Sequence, residues 1–248
     1  IHGCLVGSEM CIRDRLQFML LTYDKDAHDT SSLRWVMSGA APVPVSLIET
    51  YAAMGIEIHQ VYGLTETCGP ACLISPEDAL DRAGSTGKEF FFTKVRVVNE
   101  AGEDCAPDEP GEVLVKGPNI MVGYLNREEA TAESIVDGWL HTGDVAVMDA
   151  DGFVYIQDRV KDMIISGGEN VYPAEIENAI FGMEGVNEVA VIGIPSEKWG
   201  ESPLAVVVRA DDSVTEDAVL DHVSGKLARF KQPKNCLLYT SDAADEWI

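Results

Sequence analysis

The chain has 248 residues, of which 46% are hydrophobic, enough for one large domain or two smaller ones, and this excludes a chain disordered throughout. The 18 basic and 42 acidic residues give a formal net charge of −24, which argues against nucleic acid as a partner because its phosphates would be repelled. A small phosphate-bearing ligand stays open, since local cations, backbone N–H groups or Mg²⁺ reverse the field locally.

The first part of the chain predicts a strand, a helix and a second strand. Residues 33–37 are typical of a buried strand, and residues 45–54 place apolar side chains at helical spacing. Residues 56–62 predict the second strand. This order indicates a parallel βαβ unit, in which ligands collect beyond the carboxyl ends of the strands. We therefore expect the two turns that follow these strands, SGAAP and YGLTE, to lie on that edge.

The middle of the chain changes to short strands separated by turn residues. Strands are predicted at residues 94–99, 112–116, 144–148 and 153–157. The Asp-Gly pair at residues 151–152 is a strong hairpin signal, and a helix is predicted near residues 128–135. These patterns predict a small antiparallel β unit, similar to a barrel, that completes a partial large domain.

After Lys161 the pattern indicates a compact α+β module. The predicted elements are a helix at about residues 173–181, strands at 188–193 and 204–209, and a helix at 215–227. The last helix carries Val219, Val223 and Leu227 on one face, and either Thr215 or Ser213 is its expected cap. The fold class is therefore α/β and α+β, with a small C-terminal domain.

The YGLTE stretch combines groups that suit a nucleotide. The ring of Tyr62 can stack on a purine, and Gly63 lets the backbone come close. Thr65 can hydrogen-bond a phosphate oxygen, and Glu66 can bind Mg²⁺, which takes carboxylate and phosphate oxygens. The alternative is that Thr65 and Glu66 only cap a turn.

Two further stretches carry candidate polar groups. In WLHTGD, Asp144 is expected at the start of a strand, where a carboxylate matches the paired hydroxyl groups of a ribose. Arg159, after the hairpin, could reach the same sugar or a phosphate, although a surface Asp and a strand-end Arg are the alternative. Further along, Gly167 and Gly168 permit positive φ. They indicate either a plain turn before a capped helix, or a hinge followed by a ligand-contacting loop.

Four separated motifs occur in one order: SGAAP, YGLTE, WLHTGD and DRVKDMIISGGENVYPAEIE, with GYLNREEAT at residues 123–131. Together they resemble the adenylate-forming superfamily, specifically the fatty-acid–CoA ligases, over residues 31–233. The resemblance implies two steps that use ATP, Mg²⁺ and coenzyme A. A carboxylic acid attacks the α-phosphate of ATP to give acyl-AMP and pyrophosphate. The C-terminal domain then turns, and the CoA thiol attacks the acyl-adenylate.

The resemblance also implies roles for the matching positions. The residues implied for AMP or ATP binding are Gly39, Ala40, Ala41, Tyr62, Gly63, Thr65, Asp144, Ile156 and Arg159. Those implied for catalysis are Thr65, Glu66 and Lys161, of which Glu66 is the magnesium ligand and Lys161 the hinge. Gly167 and Gly168 would line the channel for the pantetheine arm of CoA. We expect packing roles for His59 and His141.

The sequence departs from the family at both ends. The upstream Ser/Thr/Gly-rich phosphate loop and the terminal Gly-Lys have no counterpart, so we expect only the C-terminal part of the enzyme, with weak or no adenylation by itself. The predicted parts are a partial AMP-binding domain at residues 16–158, a hinge at 159–162 and a mobile domain at 163–235. Residues 1–15 and 236–248 do not fit the family and resemble foreign sequence joined to a fragment.

Three alternatives stay open at this point. One is an adenylation domain that loads a carrier protein, another is an aryl-acid ligase, and the third is a nucleotide-binding remnant without catalysis.

No run of about 20 apolar residues predicts a membrane span, and no signal peptide is evident. Six cysteines lack framework or zinc-site spacing, so we expect free thiols and a cytoplasmic location, with peripheral membrane association as the alternative.

Overall fold

The structure, a computed structural model, describes residues 16, 19–20, 22–24, 27–39, 42–210 and 212–240. The chain divides into two compact units, Ile1–Ile156 and Gln157–Ile248. Each unit has its own buried apolar clusters. The mixed α/β and α+β fold class predicted from the sequence is confirmed. In the described ranges, no helix is long and apolar enough to span a bilayer.

The first sheet of the first unit contains the predicted βαβ arrangement. Its elements are β1 (Trp35–Ser38), α1 (Val45–Ala53), β2 (Glu57–Tyr62), β3 (Cys72–Leu73) and β4 (Lys88–Glu89), with strand order β1-β2-β3-β4. β1 and β2 are parallel, whereas β3 pairs antiparallel with β2 and with β4. α1 buries Leu47, Ile48 and Tyr51, three apolar side chains on one helical face.

The prediction of a buried strand at residues 33–37 is wrong, because four of these five residues are exposed. Trp35 is 48% exposed and Met37 is 49% exposed. Successive side chains of a strand point to opposite faces, so only alternate residues can meet the same layer. Val36, on the other face, packs against the apolar cluster that α1 helps to form.

The second sheet of the first unit is the predicted antiparallel β unit. Its elements are β5 (Lys94–Val98), β6 (Gly111–Lys116), α2 (Glu128–Ser134), β7 (Ile135–Val136), β8 (Trp139–Met148) and β9 (Val154–Arg159), which begins in the first unit and ends in the second. The strand order is β5-β6-β8-β7, β9 pairs with β8, and the pairs among β5 to β8 are antiparallel. The Asp-Gly turn forms as predicted, because Gly152 N–H donates to Asp149 O at 3.0 Å between β8 and β9.

The second unit is an α+β module. Its elements are β10 (Ile164–Ser166), β11 (Glu169–Val171), α3 (Pro173–Phe181), β12 (Val186–Ser196), β13 (Gly200–Arg209), α4 (Glu216–Ser224) and β14 (Asn235–Thr240). The sheet order is β11-β10-β13-β12, and β14 pairs parallel with β13. Ile176, Ile180, Val219 and Val223 are fully buried in one cluster under α3 and α4. Thr215 is the cap of α4, since its Oγ1 accepts from the N–H of Ala218 at 3.2 Å.

Candidate functional site

Tyr62, the last residue of β2, meets Asp144 of β8 inside the first unit. The Tyr62 hydroxyl donates to Asp144 Oδ2 at 2.6 Å, although 82 positions separate the residues. Both side chains are buried, at 8% and 7% exposure. Burial, followed by the neighbouring Asp144 carboxylate, raises the pKa of Tyr62, so the hydroxyl keeps its proton and stays a donor. Ile156 packs against the apolar cluster that contains Tyr62.

Asp144 lies in a bulge in the middle of β8, and the prediction that it begins a strand is wrong. Residues 142–144 stand opposite the single residue Val113, and Gly143 has φ +71°. Thr142 Oγ1 donates to Val113 O at 2.7 Å and accepts from Asp144 N–H at 3.1 Å. A bulge bends a strand and re-aims its side chains. The bulge therefore sets the direction of the Asp144 side chain.

The two histidines near the motifs have structural partners. Glu112 accepts from Gly143 N–H at 3.1 Å and lies 2.9 Å from His141 Nδ1, so it supports the bulge from the next strand. His59 is buried and stacks on Trp35 with ring planes 3° apart. These contacts agree with the packing roles expected for both side chains.

The YGLTE stretch continues from β2 into a short 3₁₀ turn, Thr65–Thr67. Thr67, which the sequence did not single out, ties this turn together. Its buried hydroxyl accepts from Leu64 N–H at 2.9 Å and donates to Gly69 O at 2.6 Å. In the described part of the chain, the exposed Thr65 hydroxyl makes no hydrogen bond. The turn-capping role considered for Thr65 is therefore performed by Thr67.

One carboxylate oxygen of Glu66 accepts a hydrogen bond within the described part of the chain, and the other does not. Oε1 accepts from the Tyr124 hydroxyl at 2.8 Å, and the backbone oxygen of Glu66 accepts from Met121 N–H at 2.8 Å. Oε2 has no hydrogen-bond partner among the residues that the structure describes. A carboxylate oxygen is the hard donor that Mg²⁺ prefers, so Glu66 fits the predicted ion. The sequence did not identify Tyr124 as a site residue. The only indication was that Tyr124 lies in the GYLNREEAT motif.

Two glycines near β2 are required by close backbone packing. A Cβ at Gly63 would lie 2.4 Å from the Gly69 carbonyl oxygen, and one at Gly39 would lie 2.6 Å from a Val61 methyl group. The loop after β2 therefore folds back on Gly63, which explains this glycine without a ligand. The neighbouring positions predicted for adenine, Ala40 and Ala41, lie outside the described residues.

Arg159 and Lys161 belong to the second unit. Arg159 is the exposed last residue of β9, and Lys161 is exposed in the 3₁₀ turn Val160–Asp162. Lys161 lies on the wall of a groove of about 470 Å³ within this unit. The ribose role of Arg159 and the hinge role of Lys161 stay predictions.

Asp158 links the end of β9 to the start of α3. Its Oδ1 accepts from Arg159 N–H at 2.8 Å, and its Oδ2 accepts from Ala174 N–H at 3.0 Å. Ala174 lies in the first turn of α3, where an N–H has no partner within the helix. Burial raises the pKa of Asp158, and the two N–H donors offset part of that effect. Asp158 thus caps α3 from outside it.

Gly167 and Gly168 form the two-residue turn between β10 and β11. Their φ values are +65° and +88°, and Ser166 is paired with Glu169 across the turn. Positive φ at both central positions defines a type I′ hairpin, which glycine adopts without steric cost. A Cβ at Gly167 would lie 2.8 Å from the ring of Trp199. Turn geometry accounts for both glycines, and their contact with CoA stays a prediction.

Two family descriptions match this chain. "AMP-binding enzyme" matches residues 9–125, and "AMP-binding enzyme C-terminal domain" matches residues 175–242. The first match begins before residue 16 and the second ends after residue 235, the predicted limits of family likeness.

Curated relatives include acid–CoA ligases of more than one kind. The chain is 45% identical over 234 residues to the long-chain-fatty-acid–CoA ligase FadD13 of Mycobacterium tuberculosis, covering 94% of this chain and 46% of that protein. It is 48% identical over 208 residues to a feruloyl-CoA synthase of Amycolatopsis sp, covering 84% of this chain and 42% of that protein. The chain therefore spans about half the length of the curated relatives it matches.

Several solved structures of similar fold contain a nucleotide or an acyl-adenylate. The o-succinylbenzoate CoA synthetase MenE of Bacillus subtilis, in complex with the acyl-adenylate OSB-AMP, has a TM-score of 0.83 and 38% identity, with 90% of this chain and 45% of that chain covered. The same enzyme with ATP and a magnesium ion has a TM-score of 0.81 and 37% identity, over 90% and 46% of the two chains.

Proposed function

Since this chain belongs to the adenylate-forming, AMP-binding enzymes, we propose that it is part of an ATP-dependent carboxylate–CoA ligase. In that reaction an acid and ATP give acyl-AMP and pyrophosphate, and CoA then displaces AMP to give the thioester. The observation that supports this most directly is the buried hydrogen bond between Tyr62 and Asp144. It joins the carboxyl end of the parallel strand β2 to the bulge of a second sheet, at the edge where α/β folds gather ligands.

Each proposed role follows from the chemistry of the side chain. The Asp144 carboxylate accepts hydrogen bonds, which suits the two hydroxyl groups of a ribose. The Tyr62 ring, held by its hydroxyl, offers a fixed face for adenine. The exposed hydroxyl of Thr65 can donate to a phosphate oxygen. Gly39, Ala40 and Ala41 in the adenine site, and Ile156, Arg159 and Lys161 near the ribose and hinge, complete the proposed set.

The carboxylate of Glu66 is the proposed holder of Mg²⁺, with Oε2 as the donor atom. Mg²⁺ usually binds one or two carboxylates together with substrate phosphates and water. When bound, such an ion offsets negative charge on the phosphates as the α-phosphate is attacked. Glu66 contributes by carrying one negative charge on a turn that Thr67 keeps rigid.

A fatty acid is the substrate class we propose, on the likeness to a long-chain-fatty-acid–CoA ligase. An aromatic acid is the second candidate, because the identity to a feruloyl-CoA synthase is 48%. A panel of fatty and aromatic acids, with CoA-dependent thioester formation as the readout, separates these two classes. Formation of acyl-AMP that added CoA does not convert to a thioester would instead favour an adenylation domain that loads a carrier protein. Cytoplasmic location is proposed as well, since ATP and CoA are the cosubstrates and Cys68, Cys72, Cys105 and Cys236 are free thiols.

Isothermal titration of AMP into the 248-residue chain tests the nucleotide site. Asp144→Asn should weaken AMP binding roughly ten- to hundredfold, because hydrogen bonds to a charged group contribute about 1.5–3 kcal/mol. Asp81→Asn removes the same charge from an exposed position of the same unit and should leave the affinity unchanged. Equal AMP affinities in the two variants would refute the proposed site. Binding of AMP with no pyrophosphate release from MgATP and any acid would favour the non-catalytic remnant.

A further inference from the structure

The loop that carries GYLNREEAT holds the turn of Glu66 at three points. Asn119 Nδ2 donates to Thr67 O at 2.8 Å, and Met121 N–H donates to Glu66 O at 2.8 Å. The third contact is the Tyr124 hydroxyl, which donates to Glu66 Oε1 at 2.8 Å. Two of these contacts restrain the backbone, and only the third reaches the carboxylate. Residues just before the motif therefore hold the backbone of the Glu66 turn, and Tyr124 of the motif holds the Glu66 side chain.

Three residues of the motif fix Tyr124 itself. The N–H of Tyr124 donates to Thr131 Oγ1 at 2.9 Å, and that hydroxyl donates to Arg127 O at 2.8 Å. Gly123 has φ +151°, and a Cβ there would lie 2.7 Å from Thr131 Cγ2. A larger residue than glycine would push Thr131 away from the Tyr124 backbone. Gly123 and Thr131 thus fix the backbone of Tyr124 and, through it, the position of the Tyr124 hydroxyl.

The hydrogen bond from Tyr124 makes the two carboxylate oxygens of Glu66 different. Oε1 is held by Tyr124, whereas Oε2 has no hydrogen-bond partner within the described ranges. A partner behind a metal-binding carboxylate fixes its orientation and typically changes metal affinity 10- to 100-fold. Glutamate has several rotatable bonds, so a carboxylate held in advance loses less conformational freedom when it binds an ion.

We propose that Tyr124 is a positioning residue, whose hydroxyl, placed by Gly123 and Thr131, holds Glu66 Oε1 and leaves Oε2 to bind the magnesium that accompanies ATP. This inference rests on the proposed function, because it takes Glu66 as the magnesium ligand. Tyr124 is proposed to act through Glu66, the residue that its hydroxyl contacts. The proposal gives a role to the contact between the GYLNREEAT loop and the turn after β2. The sequence alone indicated no role for this loop.

The test compares ATP affinity with Mg²⁺ and with a chelator, by isothermal titration into the 248-residue chain, with AMP as a magnesium-independent reference. The wild-type chain should bind ATP more tightly with Mg²⁺ than with the chelator, and the ratio of these two affinities is called the magnesium gain. Glu66→Gln should abolish the magnesium gain. Tyr124→Phe should reduce the gain about tenfold, the lower end of the range, because Tyr124 is 37% exposed. Its affinity for AMP should stay unchanged, which a general loss of structure would not allow.

Two further variants sharpen the comparison. Thr131→Val keeps the shape but removes the acceptor for Tyr124 N–H, so it should also reduce the magnesium gain while sparing AMP binding. Tyr23→Phe is the matched control, since its hydroxyl is bonded to Thr30 Oγ1 at 3.1 Å and not to Glu66. It should behave as the wild type in every titration.

The outcomes separate the inference from its premise. A wild-type chain that binds ATP equally with and without Mg²⁺ overturns the magnesium role of Glu66, and the inference with it. A magnesium gain that is lost in Glu66→Gln but intact in Tyr124→Phe overturns the inference alone. Loss of AMP binding in Tyr124→Phe also overturns it, because Tyr124 would then support the fold in general.

Discussion

Tyr62→Phe removes one hydroxyl from a buried pair and should destabilise the first unit. Its partner, Asp144, is 7% exposed, so water has little access to replace the lost donor. Hydrogen bonds to charged groups contribute about 1.5–3 kcal/mol. We therefore expect the free energy of unfolding to fall by about 2 kcal/mol. Asp144→Asn keeps an acceptor oxygen, so in that background Tyr62→Phe should cost only about 1 kcal/mol.

A double-mutant cycle measured by urea denaturation checks this reasoning. The four proteins are the wild type, both single variants and the double variant, and circular dichroism follows their unfolding. The two costs of Tyr62→Phe should differ by roughly 1 kcal/mol, the coupling typical of groups in direct contact. Equal costs in both backgrounds would show that the hydroxyl and the carboxylate do not interact energetically. A total cost below about 0.5 kcal/mol would show that the pair is solvated, contrary to the burial found here.

Four other substitutions test contacts of the second unit. Asp158→Ala removes the acceptor for two backbone N–H groups, so we expect a loss of about 1 kcal/mol of unfolding free energy in urea titrations. Because burial raises the pKa of Asp158, the folded state binds protons more readily than the unfolded state. Stability should therefore fall as pH rises from about 3.9 through the raised folded pKa, a slope absent from the variant. Gly167→Ala and Gly168→Ala should each cost about 1–2 kcal/mol through positive φ, but only the former should shift the Trp199 indole resonance in NMR spectra. Thr215→Ala should cost about 1 kcal/mol by thermal or urea unfolding, since the hydroxyl accepts from the first turn of α4, and no loss would contradict its role as cap.

Elements with strong local signals could be predicted with accurate bounds. Pro173 at the first helical position and the apolar spacing after it identified the helix Pro173–Phe181. The Asp-Gly pair identified the turn before β9, because only a few residue types tolerate positive φ there. Burial was harder to predict. Trp35 is exposed although the next residue, Val36, packs against the core, because the two faces of a strand can have different surroundings.

The candidate site was predictable where a motif carried it and not where contacts cross the fold. Tyr62, Glu66 and Asp144 stood out because their residue types suit a nucleotide. Thr67 and Tyr124 did not, although they hold Glu66 and its turn in place. Their importance comes from partners that are distant in sequence, such as the 58 positions between Glu66 and Tyr124. Residue type alone carries no information on such a pairing.

The sequence by itself determined the family, the fold class and the order of most helices and strands, because periodicity, turn residues and motif order act over short stretches of chain. Only the tertiary structure decided that Asp144 lies in a bulge and bonds Tyr62, that Gly63 serves the return of its own loop, and that Asp158 caps α3. These features depend on strand register and on backbone groups brought together from distant positions. A one-residue change of register would alter them while leaving every local pattern intact.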